Sequence, residues 1–309
     1  MKKLLLLLGL LTLAGCTKMQ DNDTMRYIRF MIYDPVFVAY EQGFFEKHGV
    51  DIEFIDLIMG GPMAIQAIAN GSAEAGVSFI GAIIAAKNVE LSVIGVSDLQ
   101  TTFRHAPLAE FFVRDDDNIY TMADLWGKTI AINLVHASFH HKWLLALAQY
   151  GLSENDVQWV VLPFEQQALA LENGHVDAIG ILQPHTVSVR NNPQFRQLMT
   201  AYDIFGERQF SVHVVNLEWA EKNPARVEAF VAAVVDATEW IMENQDKAKE
   251  IISQHTGIDA SNIENYYFQP NARIIESDIQ FWLDYMESDL SIEEIATNRW
   301  NRRVFNADN

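Results

Sequence analysis

Residues 67–78 read AIANGSAEAGVS and residues 170–181 read ALENGHVDAIGI. The two stretches align without a gap: Ala, an aliphatic, any residue, Asn-Gly, two variable positions, an acid, then Ala. An Asn-Gly pair after an apolar run ends a helix, because glycine enters the left-handed region without a steric cost. The acid then stands just before a buried apolar strand. The chain therefore writes one helix-to-strand sentence twice.

The surroundings of the two copies also match. Before the first copy, Tyr27–Tyr33 (YIRFMIY) alternates as a strand and Asp34-Pro35 breaks it. A helix is predicted from Val36 to His48, stopped by Gly49. Asp51–Ile55 is a second strand, Gly60-Gly61-Pro62 a turn and Met63–Ala69 a helix. Val77-Ser78-Phe79 ends a third strand, and Leu91–Val96 is a buried fourth. The order restarts with the strand Thr129–Asn133, the helix Phe139–Tyr150 capped by Gly151, and the strand Val157–Leu162. Pro163 opens a turn, Glu165–Leu171 is a helix and Ala178–Leu182 a strand. Strands alternating with short helices in this way predict βαβ units and mostly parallel sheets. The repeated acids, Glu74 and Asp177, fall at the N-terminal ends of strands. Open α/β sheets bind ligands at the opposite end, so these acids serve folding and not chemistry.

Composition bounds the function. The 309 residues suffice for about two domains. Half of them are hydrophobic and a fifth charged, the mixture of a globular chain. A net charge of −19 repels polyanions, which excludes nucleic acid and an anionic bilayer surface as partners. The N-terminus carries the most specific signal. Lys2-Lys3 precedes the apolar run Leu4–Leu11, followed by Leu13-Ala14-Gly15-Cys16. A basic start and a short apolar core make a secretory signal, too short to span a membrane. The small residues before Cys16 look like a bacterial lipobox, with residues 1–15 removed and Cys16 lipidated. Cys16 is the only cysteine, so no internal disulfide can form. Residues 16–24 read as a polar tether, which places the protein on the extracytoplasmic face of a membrane, held by lipid alone.

The chain resembles the substrate-binding proteins of bacterial ABC importers, in the nitrate/sulfonate/taurine and thiamine-pyrimidine-precursor group (SsuA/THI5-like, NMT1). The resemblance is carried by Ala39, Gln42-Gly43-Phe44-Phe45, Gly49-Val50-Asp51-Ile52-Glu53 and Ala69-Asn70-Gly71 with Glu74-Ala75-Gly76. It continues through Met122–Ala131 (MADLWGKTIA), Gly151-Leu152, Asp156-Val157, Asn173-Gly174, Asp177-Ala178, Asn223-Pro224, Val227 and Ala229-Phe230. It covers roughly residues 27–245. It implies an α/β, two-lobed type II periplasmic-binding-protein fold with two inter-lobe connections. Lobe 1 would hold 25–100 and 208–309, and lobe 2 would hold 101–207. Phe210–Asn216 reads as a strand. Asn223-Pro224 opens a long helix with apolar Val227, Phe230, Val231, Val234, Val235, Ile241 and Met242 at helical spacing. Asp246–His255, stopped by Gly257, is expected to pack on the first lobe.

A ligand would then sit between the lobes on the loops that follow the strands. That rule selects Tyr33, Asp34, Gly60, Gly61, Phe79, Ile80 and Ser97 from the first lobe. From the second it selects His136, Ser138, His140, Gln183 and His185. Relatives that bind sulfonates tend to open the corresponding helix with Gly-Ser, where this chain has His136-Ala137 followed by Ser138. The ligand's most electronegative group is expected at Val135–His140, where unpaired helix amides and an imidazole could meet it. The histidines 136, 140, 141, 185 and 213 match no metal-ligand spacing, so no metal and no cofactor are assigned. No activated nucleophile or acid–base pair is evident, so no catalytic residue is assigned. The expectation is a monomeric, non-enzymatic solute receptor. It would capture a small organic anion, such as a sulfonate or taurine-like compound, or a nitrogen heterocycle such as a thiamine pyrimidine precursor. Its partners would be an importer's permease and, through it, the ATPase subunits. The alternative is a pyrimidine-synthase-like or metal-dependent enzyme on the same fold.

Overall fold

The computed structural model of this chain describes residues 24–56 and 60–307; the signal segment, Cys16 and the tether up to residue 23 lie outside them. Ten strands, in chain order, are β1 (Thr24–Arg29), β2 (Asp51–Asp56), β3 (Ala75–Phe79), β4 (Val93–Thr102), β5 (Ala109–Arg114), β6 (Thr129–Ile132), β7 (Gln158–Val161), β8 (Ala178–Leu182), β9 (Phe195–Thr200) and β10 (Arg208–Asn216). They form two five-stranded sheets, ordered β2-β1-β3-β10-β4 and β7-β6-β8-β5-β9. In the first sheet β1 runs parallel to β2 and β3, and β10 is antiparallel to β3 and β4. The second sheet repeats the plan, with β6 parallel to β7 and β8 and β5 antiparallel to β8 and β9. Each sheet thus receives its antiparallel strand from chain that has just left the other. The crossings run through residues 103–108 and through the helix Ala201–Phe205 with Gly206.

The duplicated sentence has a common physical task. Gly71 and Gly174 take φ of 78° and 70°, closing helices at Asn70 and Asn173. The following acid then grips the strand second from the edge of its own sheet, β1 in one and β6 in the other. Glu74 accepts the Arg26 amide at 2.7 Å and gives its own amide to the Arg26 carbonyl. Asp177 accepts the Thr129 amide at 2.8 Å and gives its own amide to the Thr129 carbonyl. The next residue sets register: Ala75 lies opposite Tyr27, and Ala178 opposite Ile130. The motif is a strand clamp, built at the end of each sheet remote from the cleft described below.

Several elements differ from the expectations. The helix expected over 36–48 is two, Pro35–Glu41 and Phe44–His48, because Gly43 sits at φ 71° between them. The first strand begins at Thr24 and leaves the sheet after Arg29, so Phe30–Tyr33 form a bend over the cleft. β4 runs on to Thr102, since Ser97, Asp98, Gln100, Thr101 and Thr102 are all buried with the apolar residues around them. β5 and β9 had no counterpart in the expected elements. The helix Pro224–Glu243 buries Val227, Phe230, Val231, Val234, Val235 and Ile241, while Met242 faces out. The helix Gln245–Thr256 does lie on the first lobe, with His255 stacked on Phe37 at 4.5 Å. No described helix is long and apolar enough to cross a membrane.

Candidate functional site

Between the sheets lies a cleft of about 110 Å³, partly open to solvent. The first lobe contributes Phe30, Ile32, Gly60, Gly61, Ser78, Phe79 and Gln100, and the second Asn133, Ser138, Phe139, Phe164 and Leu182. Most of this surface is apolar. Of the two glycines, Gly61 is the one where the chain is crowded, while Gly60 leaves ordinary contact distance. A Cβ on Gly61 would stand 2.9 Å from Ser78 Oγ, and one on Gly60 would stand 3.6 Å from the Asn133 amide nitrogen across the gap. Phe79 is held edge-on by Trp282 at 4.9 Å.

Of the residues selected from sequence, Gly60, Gly61, Phe79 and Ser138 come together in this cleft. The others stand elsewhere. Ile80 opens the helix Ile80–Lys87 and is wholly buried in the first lobe. Tyr33 is buried and stacked on Tyr266 at 4.2 Å; burial raises its phenol, whose oxygen has no hydrogen-bond partner. Asp34 and Ser97 belong to a buried chain of polar groups. Asp34 Oδ1 accepts the Val36 amide at 2.9 Å and faces His213 Nε2 at 3.2 Å, while Oδ2 accepts the Tyr27 hydroxyl at 2.6 Å. Ser97 Oγ meets His213 Nδ1 at 2.9 Å. Ser97 therefore lies inside β4 and not on a loop after it, which corrects the expectation; none of Asp34, His213 and Ser97 has exposed surface.

The histidines are also placed differently. His136 is exposed at φ 59°, and its amide donates to His140 Nδ1 at 3.2 Å. That bond fixes Nδ1 as an acceptor. The His140 ring is buried against Trp159 at 4.8 Å, with Glu154 3.4 Å from Nε2, and burial lowers its pKa. His140 does not line the cleft, and the expected imidazole donor at this position is corrected to a helix-start acceptor. His185 lies against the Met31 backbone, with its pKa lowered by burial. Gln183 donates to Glu264 Oε2 at 2.7 Å. It lines a second, polar cavity of about 390 Å³ with His105, Glu110, Arg190 and Tyr267. There Arg190 is already paired with both Glu110 and Glu264. Among the described residues no group of three or more His, Cys, Asp or Glu side chains could hold a metal ion.

Sequence reasoning missed the most unusual group at the site. Lys142, one turn into the helix Ser138–Ala148, has no exposed surface, and its Nζ donates to Ser138 Oγ. Phe210 and Phe139 flank the amine, with ring centroids 3.9 and 4.9 Å away. Its signal was legible only in spacing, a Ser and a Lys four apart on one helix face. Asn133 and Ser78, which end two of the expected strands, also line the cleft and are absent from the residues selected from sequence.

The family described as NMT1/THI5 like matches residues 33–248. The riboflavin-binding protein RibY of Chloroflexus aurantiacus is 24% identical over 292 residues, covering 94% of this chain and 80% of that one. The taurine-binding periplasmic protein of Escherichia coli is 27% identical over 123 residues, 40% of this chain and 38% of that one. The alkanesulfonate-binding protein SsuA of Xanthomonas axonopodis pv. citri, solved with MOPS bound, superposes with a TM-score of 0.73 at 18% identity, covering 87% and 93% of the two chains. This chain therefore has the two-lobed type II periplasmic-binding-protein fold. The desulfurization enzyme DSZB has the same fold, with a TM-score of 0.68 at 17% identity over 93% of this chain and 100% of that one. Fold alone does not separate capture from catalysis.

Proposed function

The chain belongs to the NMT1/THI5-like family, and from that premise we propose that it is an extracytoplasmic solute-binding lipoprotein. It captures a small organic molecule between its lobes and delivers it to an ABC importer. The observation that carries this reading is the cleft itself. Phenylalanine rings from both lobes make most of its wall, and the small polar residues Ser78, Asn133, Ser138 and Ser211 make part of the rest. A molecule with an apolar body and one polar or acidic head fits that division. Relatives named for riboflavin and taurine support a small organic ligand. Capture would proceed by closure, the ligand binding the closed arrangement better and shifting its population. The lobes would be residues 25–100 with 208–309, and residues 101–207. Cys16 would hold the receptor at the membrane, and ATP hydrolysis would belong to partner subunits.

The polar clusters support capture over turnover. The Asp34–His213–Ser97 chain resembles a relay of acid, imidazole and hydroxyl, yet it is sealed in the first lobe with every member buried. No substrate atom could reach Ser97 without unfolding β4. The test is a thermal and scattering screen with riboflavin, taurine, alkanesulfonates, nitrate and aminopyrimidines. A cognate compound at 100 times its dissociation constant adds about 2.7 kcal/mol, a rise of several degrees in Tm, and compacts the protein. Chemical change of a stabilising compound would replace this reading with the enzyme; no response to any of them would sink it.

A further inference from the structure

Lys142 is costly as it stands. An ammonium without exposed surface loses its hydration, and among the described residues no carboxylate pairs with it. Uncompensated burial of this kind costs several kcal/mol, and the group escapes by giving up its proton. Burial accordingly drives the Lys142 amine well below its ordinary value. From β10 it meets the uncharged ring of Phe210; on its own helix the adjacent titratable group is His141. A methionine would fill the same space without these costs.

The other lobe shows what is missing. β1 and β6 hold equivalent places in their sheets, and each leads through a bend into a helix. At the first of these helices, Pro35–Glu41, the Asp34 carboxyl caps the terminus and meets a buried imidazole. At the second, Ser138–Ala148, no side chain caps the terminus, and the buried basic group one turn in is Lys142. The second helix has the basic group and the open amides but no acid.

We propose that the Lys142–Ser138 pair is the anion-selecting element of the cleft, with the acid group of the ligand taking the place that Asp34 takes in the first lobe. An ammonium has three donors and no acceptor. Given to Ser138 Oγ, one of these donors leaves the hydroxyl proton free to point into the cleft and bind an acid oxygen. Ser138 touches the ligand; Lys142 acts through it as a positioning residue and as the counter-charge. The flanking rings of Phe210 and Phe139 present their faces to the cation. Binding an anion then draws up to one proton from the buffer onto Lys142. A neutral head group draws none.

This inference rests on the cleft being the ligand site, and the experiment keeps the two apart. The mature protein is titrated calorimetrically with benzenesulfonate, hexanesulfonate, benzenesulfonamide and riboflavin in buffers of different ionisation enthalpy. The expected result is sulfonate binding with proton uptake, and binding of neutral probes without it. Lys142→Met should abolish the uptake and weaken sulfonate binding by about 30-fold or more. Its affinity for neutral probes and its Tm should hold or rise. Ser138→Ala, which leaves the lysine in place, should weaken sulfonate binding in the same direction. Equal loss for charged and neutral probes in Lys142→Met would make the lysine merely structural and overturn the proposal. Riboflavin or sulfonamide binding with no sulfonate binding would overturn it while leaving the solute receptor standing. No binding of any probe would sink both.

Discussion

The two lobes repeat one plan, and they differ most where each first helix begins. In lobe 1 the helix start is closed. Asp34 satisfies the Val36 amide, the Tyr27 hydroxyl and the His213 ring at once, and all four groups are out of water. In lobe 2 the helix start is open, with Lys142 buried behind Ser138 and no acid to meet it. One copy of the duplicated unit has completed its polar core, and the other has left a gap of the same character. The completed copy is a foundation; the incomplete one is where specificity can be written. Native proteins give up stability locally at such sites, because unpaired groups can be satisfied only by the ligand.

That contrast can be broken by stability measurements. Asp34→Ala strips a partner from three buried groups and should cost about 3–5 kcal/mol. Lys142→Met removes an unpaired buried amine and should be neutral or stabilising by about 1 kcal/mol or more. Urea unfolding of both variants beside the wild type checks this. Comparable losses in the two would mean that lobe 2 is as complete as lobe 1, and the argument from asymmetry would fail.

The fold was legible because it is carried by period and punctuation. The Asn-Gly pairs, the strand-length apolar runs and the glycine caps at Gly49, Gly151 and Gly257 need only local rules. The cleft was half legible for the same reason, since Gly60, Gly61, Phe79 and Ser138 follow strands or open helices. The failures share one cause. Ser97 reads as loop because it is polar and follows an apolar run, yet Ser97, Asp98, Gln100, Thr101 and Thr102 are all buried in β4 by partners far along the chain. Asp98, for example, accepts from Gln209 Nε2 and the Gln269 amide, 111 and 171 residues away. β5 and β9 were missed because each strand's neighbours are set by the crossover. His140 reads as a ligand group because it lies where a helix begins after a strand, and only the placement of Trp159 and the His136 amide turns it inward. Lys142 was overlooked because lysine is read as surface by default.

A pH series sharpens the comparison with a smaller effect. His141 lies in the lobe 2 helix beside Lys142, and its ring packs on Phe79 at 5.4 Å and bonds Tyr285 at 3.2 Å, both on the first lobe's side. Burial chiefly, then the neighbouring cationic groups, lowers its pKa to about 4. An unfolded histidine titrates near ~6.5, so below that pH the unfolded chain binds a proton that the folded one refuses. Its contribution is complete above ~6.5 and is lost as pH falls through about 4. Partial exposure limits the effect to about 2 kcal/mol. His141→Gln should therefore lose less stability than wild type between neutral and mildly acidic pH, and should close with less pH dependence. Parallel unfolding curves for the two proteins across that range would remove His141 from the lobe contact.

The smallest effect lies in the repeated clamp, where the copies are most alike. Glu74 and Asp177 each accept a strand amide, at 2.7 and 2.8 Å. Glu74 also holds the Arg26 guanidinium, with Nε at 3.1 Å, whereas the cation near Asp177, Arg114, stands 3.8 Å away. A carboxamide can keep the amide bond through its oxygen but loses the charge. Glu74→Gln should cost about 1–2 kcal/mol and Asp177→Asn about 0.5–1 kcal/mol, the exposed Arg26 limiting the first. The gap between them is electrostatic, so it should shrink in high salt as the ion pair is screened. Neither change should alter ligand affinity, because both clamps sit at the strand ends remote from the cleft. Paired unfolding and calorimetry at low and high salt decide it. A larger loss at Asp177, or an affinity change from either variant, would show that the duplicated sentence does more than fasten each sheet.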